Sequence, residues 1–285
     1  MAKTQRKVIY IFLLPPIGFI LIIMIYPLFQ SFWYSLTNFY FLDNAPPKFI
    51  GLKNYIDLFS DPNFLLAFRN SLFFIILYVP LMIILSVVIA ALLDTGIKAV
   101  PLYRTLIFIP VCIGLTMATL MWIWILNPDG LLDTVLKFFH LPTIQWLATD
   151  ISTIVTAVII TIWKNLGFNV VIVLAGLYAI PKELYEAADI DGAGRIRSFF
   201  SITIPLVKDS ISLVGIMSII ASVKAFEQIW AVSRGGGTVD VLYTFMYKTT
   251  FRYFEMGKGA AISYIMAIFI LIVSYLNIKY IKTEV

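Results

Sequence analysis

The residues of this chain with chemical potential are few, and they fall into two groups. One is a polar, basic segment, EAADIDGAGRIRSFFSITIP, running from Glu186 to Pro205 between two long apolar runs. The other is a set of charged and amide side chains set within apolar runs: Lys164, Asn165 and Asn169, then Lys224, Glu227 and Gln228. Neither group is catalytic equipment. The single cysteine, Cys112, and the single histidine, His140, stand apart from any cluster of carboxylates, so no disulfide and no metal centre is expected. The phosphate-cradling pattern G-x-x-x-x-G-K-[ST] is absent as well, so any nucleotide hydrolysis must come from a partner. No catalytic residue and no cofactor is expected.

An ammonium near the centre of a bilayer costs about 2.5–3.5 kcal/mol on insertion scales, so Lys164 must face protein or water. Thr161, Asn165 and Asn169 recur every fourth residue beside it, which makes a polar stripe on one helical face. Lys224 and Glu227 stand three apart and can pair along a shared helix. Both groups are candidates for a translocation path, and the plainer alternative is that they seal helix interfaces. Two rows of small residues, Gly215, Ser218 and Ser222, then Gly259, Ser263 and Ala267, read as close helix packing.

Membrane-spanning elements must position these side chains. Apolar residues make up 61% of the chain and charged residues 13%, against roughly 45–50% and about 25% in soluble domains. Mean hydropathy is +0.94. A span needs about 20 apolar residues, and six such runs are read, over 8–32, 71–93, 102–126, 151–178, 210–230 and 260–281. The first follows Lys3, Arg6 and Lys7 but is too long for a signal peptide's apolar region and contains Pro15-Pro16, so it is read as a retained span. Pro15, Pro27, Pro80 and Pro110 are expected to kink or shorten spans.

Six spans place Lys3, Arg6 and Lys7, then Lys98 and Arg104, Lys182, Arg195, Arg197 and Lys208, and finally Lys279 and Lys282 on one side of the membrane. Those on the other side, among them Lys48, Lys53, Arg69 and Lys137, are spread over longer loops. This density puts both termini in the cytoplasm. The net charge of +5 fits contact with anionic membrane lipid, and no basic, aromatic-interleaved face points to nucleic acid.

Within the polar segment, Pro181 suits a first helical turn, and Glu183 and Glu186 place negative charge at the positive end of the helix dipole. Gly192 and Gly194 can end that helix near Ile190 with a left-handed cap. Leu184, Ala187 and Ala188 share one face, where two alanines permit close approach by another surface. A second short helix, starting at Arg195 and reaching about Ile202, is expected to stop before Pro205.

The spacing Glu186-Ala187-Ala188, three residues, Gly192, nine residues, Ile202, one residue, Ile204-Pro205 resembles the EAA motif of permease subunits of binding-protein-dependent ABC importers. Ile204 stands where that family's pattern has Leu. The stretches IGLKNYIDLFSDPNFLLAFRNSLFF (50–74) and SVKAFEQIWAVSRGGGTVDVLYTFMY (222–247) are similar to the maltose and glycerol-3-phosphate permease group, although Gly237 and Thr238 replace its proline after the glycine pair. The resemblance covers nearly the whole chain.

It implies an all-α integral membrane protein of the MetI-like fold, with six transmembrane helices and a cytoplasmic coupling helix in an EAA loop over 181–205. Residues 1–62 would be an N-terminal span and outer loop, and 63–285 a five-span core. Glu186, Ala187, Ala188, Asp191, Gly192 and Ala193 would contact the ATPase. The implied activity is carbohydrate import across a bacterial cytoplasmic membrane, with transport rather than enzymatic duty for this chain. The implied partners are a second, non-identical permease subunit, two ATP-binding cassette ATPase subunits and an extracytoplasmic sugar-binding protein. An ion-coupled secondary transporter is the alternative, but it leaves the Glu186 segment without a purpose.

Overall fold

The computed structural model describes residues 12–94, 100–233 and 239–282. The basic residues Lys3, Arg6, Lys7 and Lys98 and the glycine loop at 235–237 lie outside the described residues. Among the described residues the regular structure is helical apart from one antiparallel bridge between Thr37 and Phe49. Four helices are long and apolar enough to cross a membrane: α1 (Phe12–Ser35), α3 (Pro62–Asp94), α7 (Asp150–Tyr178) and α13 (Met256–Lys282). A short helix, α2 (Lys53–Phe59), separates the first two.

Two further candidate spans are bent pairs. Helix α4 (Val100–Cys112) is bent by 100° from the stretch Leu115–Phe138, which holds α5 (Leu115–Leu126) and the short α6 (Leu131–Phe138). The continuous span expected over 102–126 is therefore broken. Pro110 removes a main-chain donor near the end of α4, and Gly114, with φ −59° and ψ 140°, leaves the helical region and starts α5 afresh. The second pair joins α9 (Arg195–Leu206) to α10 (Lys208–Val223) at 67°. The span expected over 210–230 ends early: Lys224 closes α10, and a separate helix, α11 (Glu227–Val232), follows. Counting each bent pair as one span gives up to 6.

Two of the prolines, Pro27 and Pro205, share a device. Helix α9 does not stop before Pro205, because its backbone widens into a π turn over Phe199–Thr203, where the Ile204 N–H donates to the Phe199 carbonyl. The same turn, Leu21–Ile25, precedes Pro27 in α1, with the Tyr26 N–H donating to the Leu21 carbonyl. A wider turn moves the carbonyl that would meet the pyrrolidine ring, so the helix continues through proline.

The described residues divide into two units, one running up to Leu65 together with Phe245–Ala267, the other Leu66–Thr244 with the residues from Ile268 onward. In the first, the Asn54 amide donates to the carbonyls of Ser35 and Thr37 at 2.8 Å each, and the Tyr264 hydroxyl to the Leu28 carbonyl at 2.6 Å. The apolar side chains of α1 from Phe12 to Ile25 stay exposed, which suits a lipid or protein neighbour rather than water.

In the second unit the core gathers around α7. Phe74, Tyr78 and Met82 of α3 pack in one cluster with Ile154, Ala157, Val170 and Leu174 of α7 and Val214 of α10. Small residues act here one at a time. A Cβ on Gly167 would strike the Ile107 carbonyl oxygen, so α4 lies backbone-close on α7, whereas Gly215 makes room for the Asn277 side chain rather than for another backbone. Gly259, in the first unit, likewise accommodates a side chain, that of Thr250.

Candidate functional site

The helix break after Cys112 gathers two of the charged groups singled out above, Lys164 and Glu227. Lys164 sits at the middle of α7, half-buried, and its Nζ donates to the Val111 carbonyl at 3.0 Å. The carbonyls of a helix's last turn lack intrahelical donors and carry the negative end of its dipole, so an ammonium there meets both needs. On the other side of the break, the Thr116 hydroxyl in the first turn of α5 donates to Glu227 Oε2 at 2.6 Å. A carboxylate thus stands near the positive end of α5 while a cation closes the end of α4.

Lys224 and Glu227 do not form the ion pair their spacing allowed. The helix ends between them, which removes the shared face that an i,i+3 pair requires, and both side chains are exposed. Gln228 turns inward, 2% exposed, and its Nε2 donates to Thr161 Oγ1 at 3.2 Å. Thr161 in turn donates to the Ala157 carbonyl at 2.6 Å. Asn165 donates to the Tyr78 hydroxyl at 3.2 Å, and Asn169 to the Asn165 carbonyl at 2.9 Å. The stripe therefore joins helices of its own subunit: Thr161 and Asn169 are buried, while Lys164 and Asn165 remain partly accessible.

Sequence reasoning missed Tyr78, Thr116 and Gly167 as members of this junction. A weak signal existed for two of them: Gly114 after Pro110 marks a restart just before Thr116, and Gly167 interrupts an apolar helix one turn beyond Lys164. Lys164→Leu is expected to strand the Val111 carbonyl at a cost of about 1–3 kcal/mol. The purified protein should melt at a lower temperature and transport more slowly, whereas Lys164→Arg, which retains a donor, should recover part of the melting loss. Identical melting of Lys164→Leu and the parent would remove Lys164 from the break.

The second site is the segment after α7. Helix α8 (Glu183–Ile190) carries Glu183 and Glu186 in its first turn. It ends in a full Schellman closure: the Gly192 N–H donates to the Asp189 carbonyl at 3.1 Å and the Ala193 N–H to the Ala188 carbonyl at 2.8 Å. Gly192 has φ +76°, the left-handed geometry expected of it, whereas Gly194, with φ −67°, caps the start of α9 instead. The Tyr185 and Thr203 hydroxyls, 2.8 Å apart, pin α8 to α9. Glu186, Ala187 and Asp191 are left exposed, and Ala188 and Ala193 half-buried. Ile190 and Ile196 are 87% and 78% exposed, an apolar surface left open among the described residues.

Gly192→Val should distort this closure, since a β-branched residue in left-handed geometry costs on the order of 1–3 kcal/mol. Weaker binding to a partner at this surface is expected, measured by co-purification. Undiminished binding would show that the turn is not constrained.

Together the fold and the two sites define a multi-pass membrane protein with broken helices at a polar junction and an exposed helical platform beyond α7. No protein-family model matches the chain. It is 34% identical over 289 residues to the probable ABC transporter permease protein YurN of Bacillus subtilis, covering 98% of each chain. It is 31% identical over 281 residues to the trehalose/maltose transport system permease protein MalF of Thermococcus litoralis, covering 98% of this chain and 94% of that one. The sn-glycerol-3-phosphate transport system permease protein UgpA of Pectobacterium atrosepticum is 30% identical over 284 residues, with 97% and 94% covered. The fold matches a chain in the crystal structure of a bacterial alginate ABC transporter in complex with alginate pentasaccharide-bound periplasmic protein, at TM-score 0.83 and 18% identity over 99% of this chain and 96% of that one. This chain belongs to the ABC transporter permease family; it is a transport component, not an enzyme. These relatives give no support to an ion-coupled secondary transporter.

Proposed function

We propose that this chain is the membrane-spanning permease subunit of a bacterial ABC importer for a carbohydrate. Near-full-length similarity to permeases named for trehalose/maltose and for sn-glycerol-3-phosphate carries the reading. It works beside a second, non-identical permease subunit, two ATPase subunits that hydrolyse the ATP, and an extracytoplasmic sugar-binding protein. Residues 1–62 serve as an N-terminal extension to a five-span core over 63–285, set in anionic membrane lipid with both termini in the cytoplasm.

In this mechanism α8 is the coupling helix. Glu186 meets a basic group on the ATPase, Ala187 and Ala188 let the surfaces approach, and Asp191, Gly192 and Ala193 shape the turn that holds the helix at its angle. The exposure of Glu186 and of Ile190 beside a rigid Schellman closure supports this assignment. Closure of the ATPases on ATP pulls α8, and the spans swing from inward-open to outward-open. A ligand shifts such an equilibrium only by binding the two states unequally, so ATP and the loaded binding protein both favour the outward state. The translocation path runs past the break in α4–α5: Lys164, Asn165, Lys224 and Glu227 offer accessible polar groups, with Asn169 and Gln228 behind them.

Reconstitution tests this directly. The chain should bring an ATPase with it through purification and, with the binding protein, drive ATP-dependent carbohydrate uptake into proteoliposomes. Single cysteines in a Cys112→Ser background should react near Arg195 only from the cytoplasm, and near Lys53 and Gln145 only from outside. The opposite labelling pattern would invert the topology and remove α8 from the ATPase side.

A further inference from the structure

A cavity of about 410 Å³ lies between the end of α5, helix α6 and the irregular segment 143–148 that leads to α7, apart from both sites above. Its lining mixes charged and amide groups with an indole: Asp129, Asp133, Lys137, Gln145 and Trp146 are among its walls. Ligand sites commonly occupy about 300–1,000 Å³ with a few convergent polar groups, and this volume falls within that range.

The cavity is built rather than incidental. Asp129 has φ 62°, left-handed geometry that a non-glycine residue adopts at a cost. At Gly130 an added Cβ would come within 2.7–2.8 Å of the carbonyl oxygens of Trp124, Ile125 and Asn127, so the loop closes tightly on the end of α5. Lys137 Nζ holds the Asp129 carboxylate at 2.5 Å. The Thr156 hydroxyl donates to the Trp146 carbonyl at 3.0 Å, which fixes the indole-bearing strand of the wall to α7.

One carboxylate in this lining has spare hydrogen-bonding capacity. Asp133 is 8% exposed, yet among the described residues its carboxylate accepts only a long bond, 3.4 Å, from the Asp129 N–H. The Trp146 indole N–H, by contrast, is sealed from water, so Trp146 gives the cavity other atoms of the residue rather than a free donor. A carboxylate offers about four acceptor positions, so most of those on Asp133 stay open, which favours a ligand rich in hydroxyl donors. A metal ion fits poorly, because Lys137 already neutralises Asp129 and no group of three His, Cys, Asp or Glu is found among the described residues. A purely apolar ligand would leave the Asp133 carboxylate without its donors.

We infer that this cavity is a saccharide-binding site, taking one or two sugar rings against Trp146 with their hydroxyls on Asp133, Lys137 and Gln145. In the six-span topology it opens on the outer face, beside the path rather than within it. The choice of sugar as ligand rests on the carbohydrate-import reading, while the cavity and its open carboxylate do not.

The test uses the permease assembled with its partner permease and ATPases in nanodiscs, without binding protein or nucleotide. Maltose, trehalose, cellobiose and xylobiose are titrated by calorimetry and by saturation-transfer NMR. At least one should bind, and Asp133→Asn and Gln145→Ala should each weaken it tenfold or more, the second variant altering an exposed residue that cannot disturb folding through burial. Absence of binding by all four sugars would overturn the inference. So would binding that survives Asp133→Asn but is lost in Glu227→Gln, which would place the sugar in the membrane path, or variants that affect only capture of the binding protein. Uptake measured in parallel separates the two readings: normal carbohydrate uptake without binding at this cavity sinks the inference alone, whereas no carbohydrate uptake at all sinks the importer reading.

Discussion

Glu186→Lys is expected to abolish ATP-driven uptake while leaving the amount of inserted permease unchanged. Glu186 is exposed, and the bonds that hold its helix in place do not involve its side chain: the Tyr185–Thr203 contact ties α8 to α9, and the Gly192 and Ala193 amides close its end. Charge reversal therefore has little to damage inside this chain. Its effect must fall on whatever docks here. Close charge pairs across protein interfaces show coupling energies of about 1.5–7 kcal/mol, and every 1.4 kcal/mol is a tenfold change in affinity. Reversal should thus weaken ATPase capture by at least about tenfold. The checks are ATPase recovered in co-purification and sugar uptake into proteoliposomes, with permease content measured by immunoblot. Normal uptake by the variant would end the coupling assignment for α8.

Gly167→Ala should destabilise the subunit more than Gly176→Ala, although both add one methyl group to the same helix. At Gly167 the new Cβ would meet main-chain atoms: the Ile107 carbonyl oxygen, then its carbonyl carbon at 2.9 Å and Phe108 Cα at 3.0 Å. At Gly176 the nearest obstacle is the Ser210 hydroxyl, a side chain that can rotate away. Backbone cannot yield without moving α4 as a body, and that movement would also lengthen the Lys164–Val111 bond one turn away. Overpacking of this kind costs typically about 1–3 kcal/mol. The expected result is a lowered melting temperature and reduced uptake for Gly167→Ala, with Gly176→Ala closer to the parent. Equal melting of the two variants would contradict the close approach of α4 and α7.

Much of the architecture was legible in local composition. The long runs that became α1, α3, α7 and α13 needed only length and hydropathy to be read, because a helix that satisfies its own backbone is the stable way for a single apolar segment to cross hydrocarbon. The left-handed turn at Gly192 was legible too, since a residue without Cβ following a short polar helix points to a closure that few other residues tolerate. The breaks were not. The run over 102–126 is apolar throughout its length, and although Pro110 and Gly114 weaken it, only the Lys164 ammonium, more than fifty residues away, makes an exposed carbonyl at Val111 affordable.

The partners of the polar groups were hidden for the same reason. Spacing put Lys224 and Glu227 on one helical face, but the helix ends between them, and Glu227 takes its hydrogen bond from Thr116 instead. By itself the sequence determined the membrane class, the positions of the long spans, the absence of a nucleotide cradle and the polar platform at Glu186. Each of these depends on composition or on residues a few positions apart, where backbone geometry alone sets the distances. Tertiary structure alone decided where helices break, which buried amides pair, and that Lys164 serves a helix end. Those outcomes depend on side chains brought from distant parts of the chain, and in a low-dielectric interior each polar group settles on whichever donor or acceptor the packing delivers.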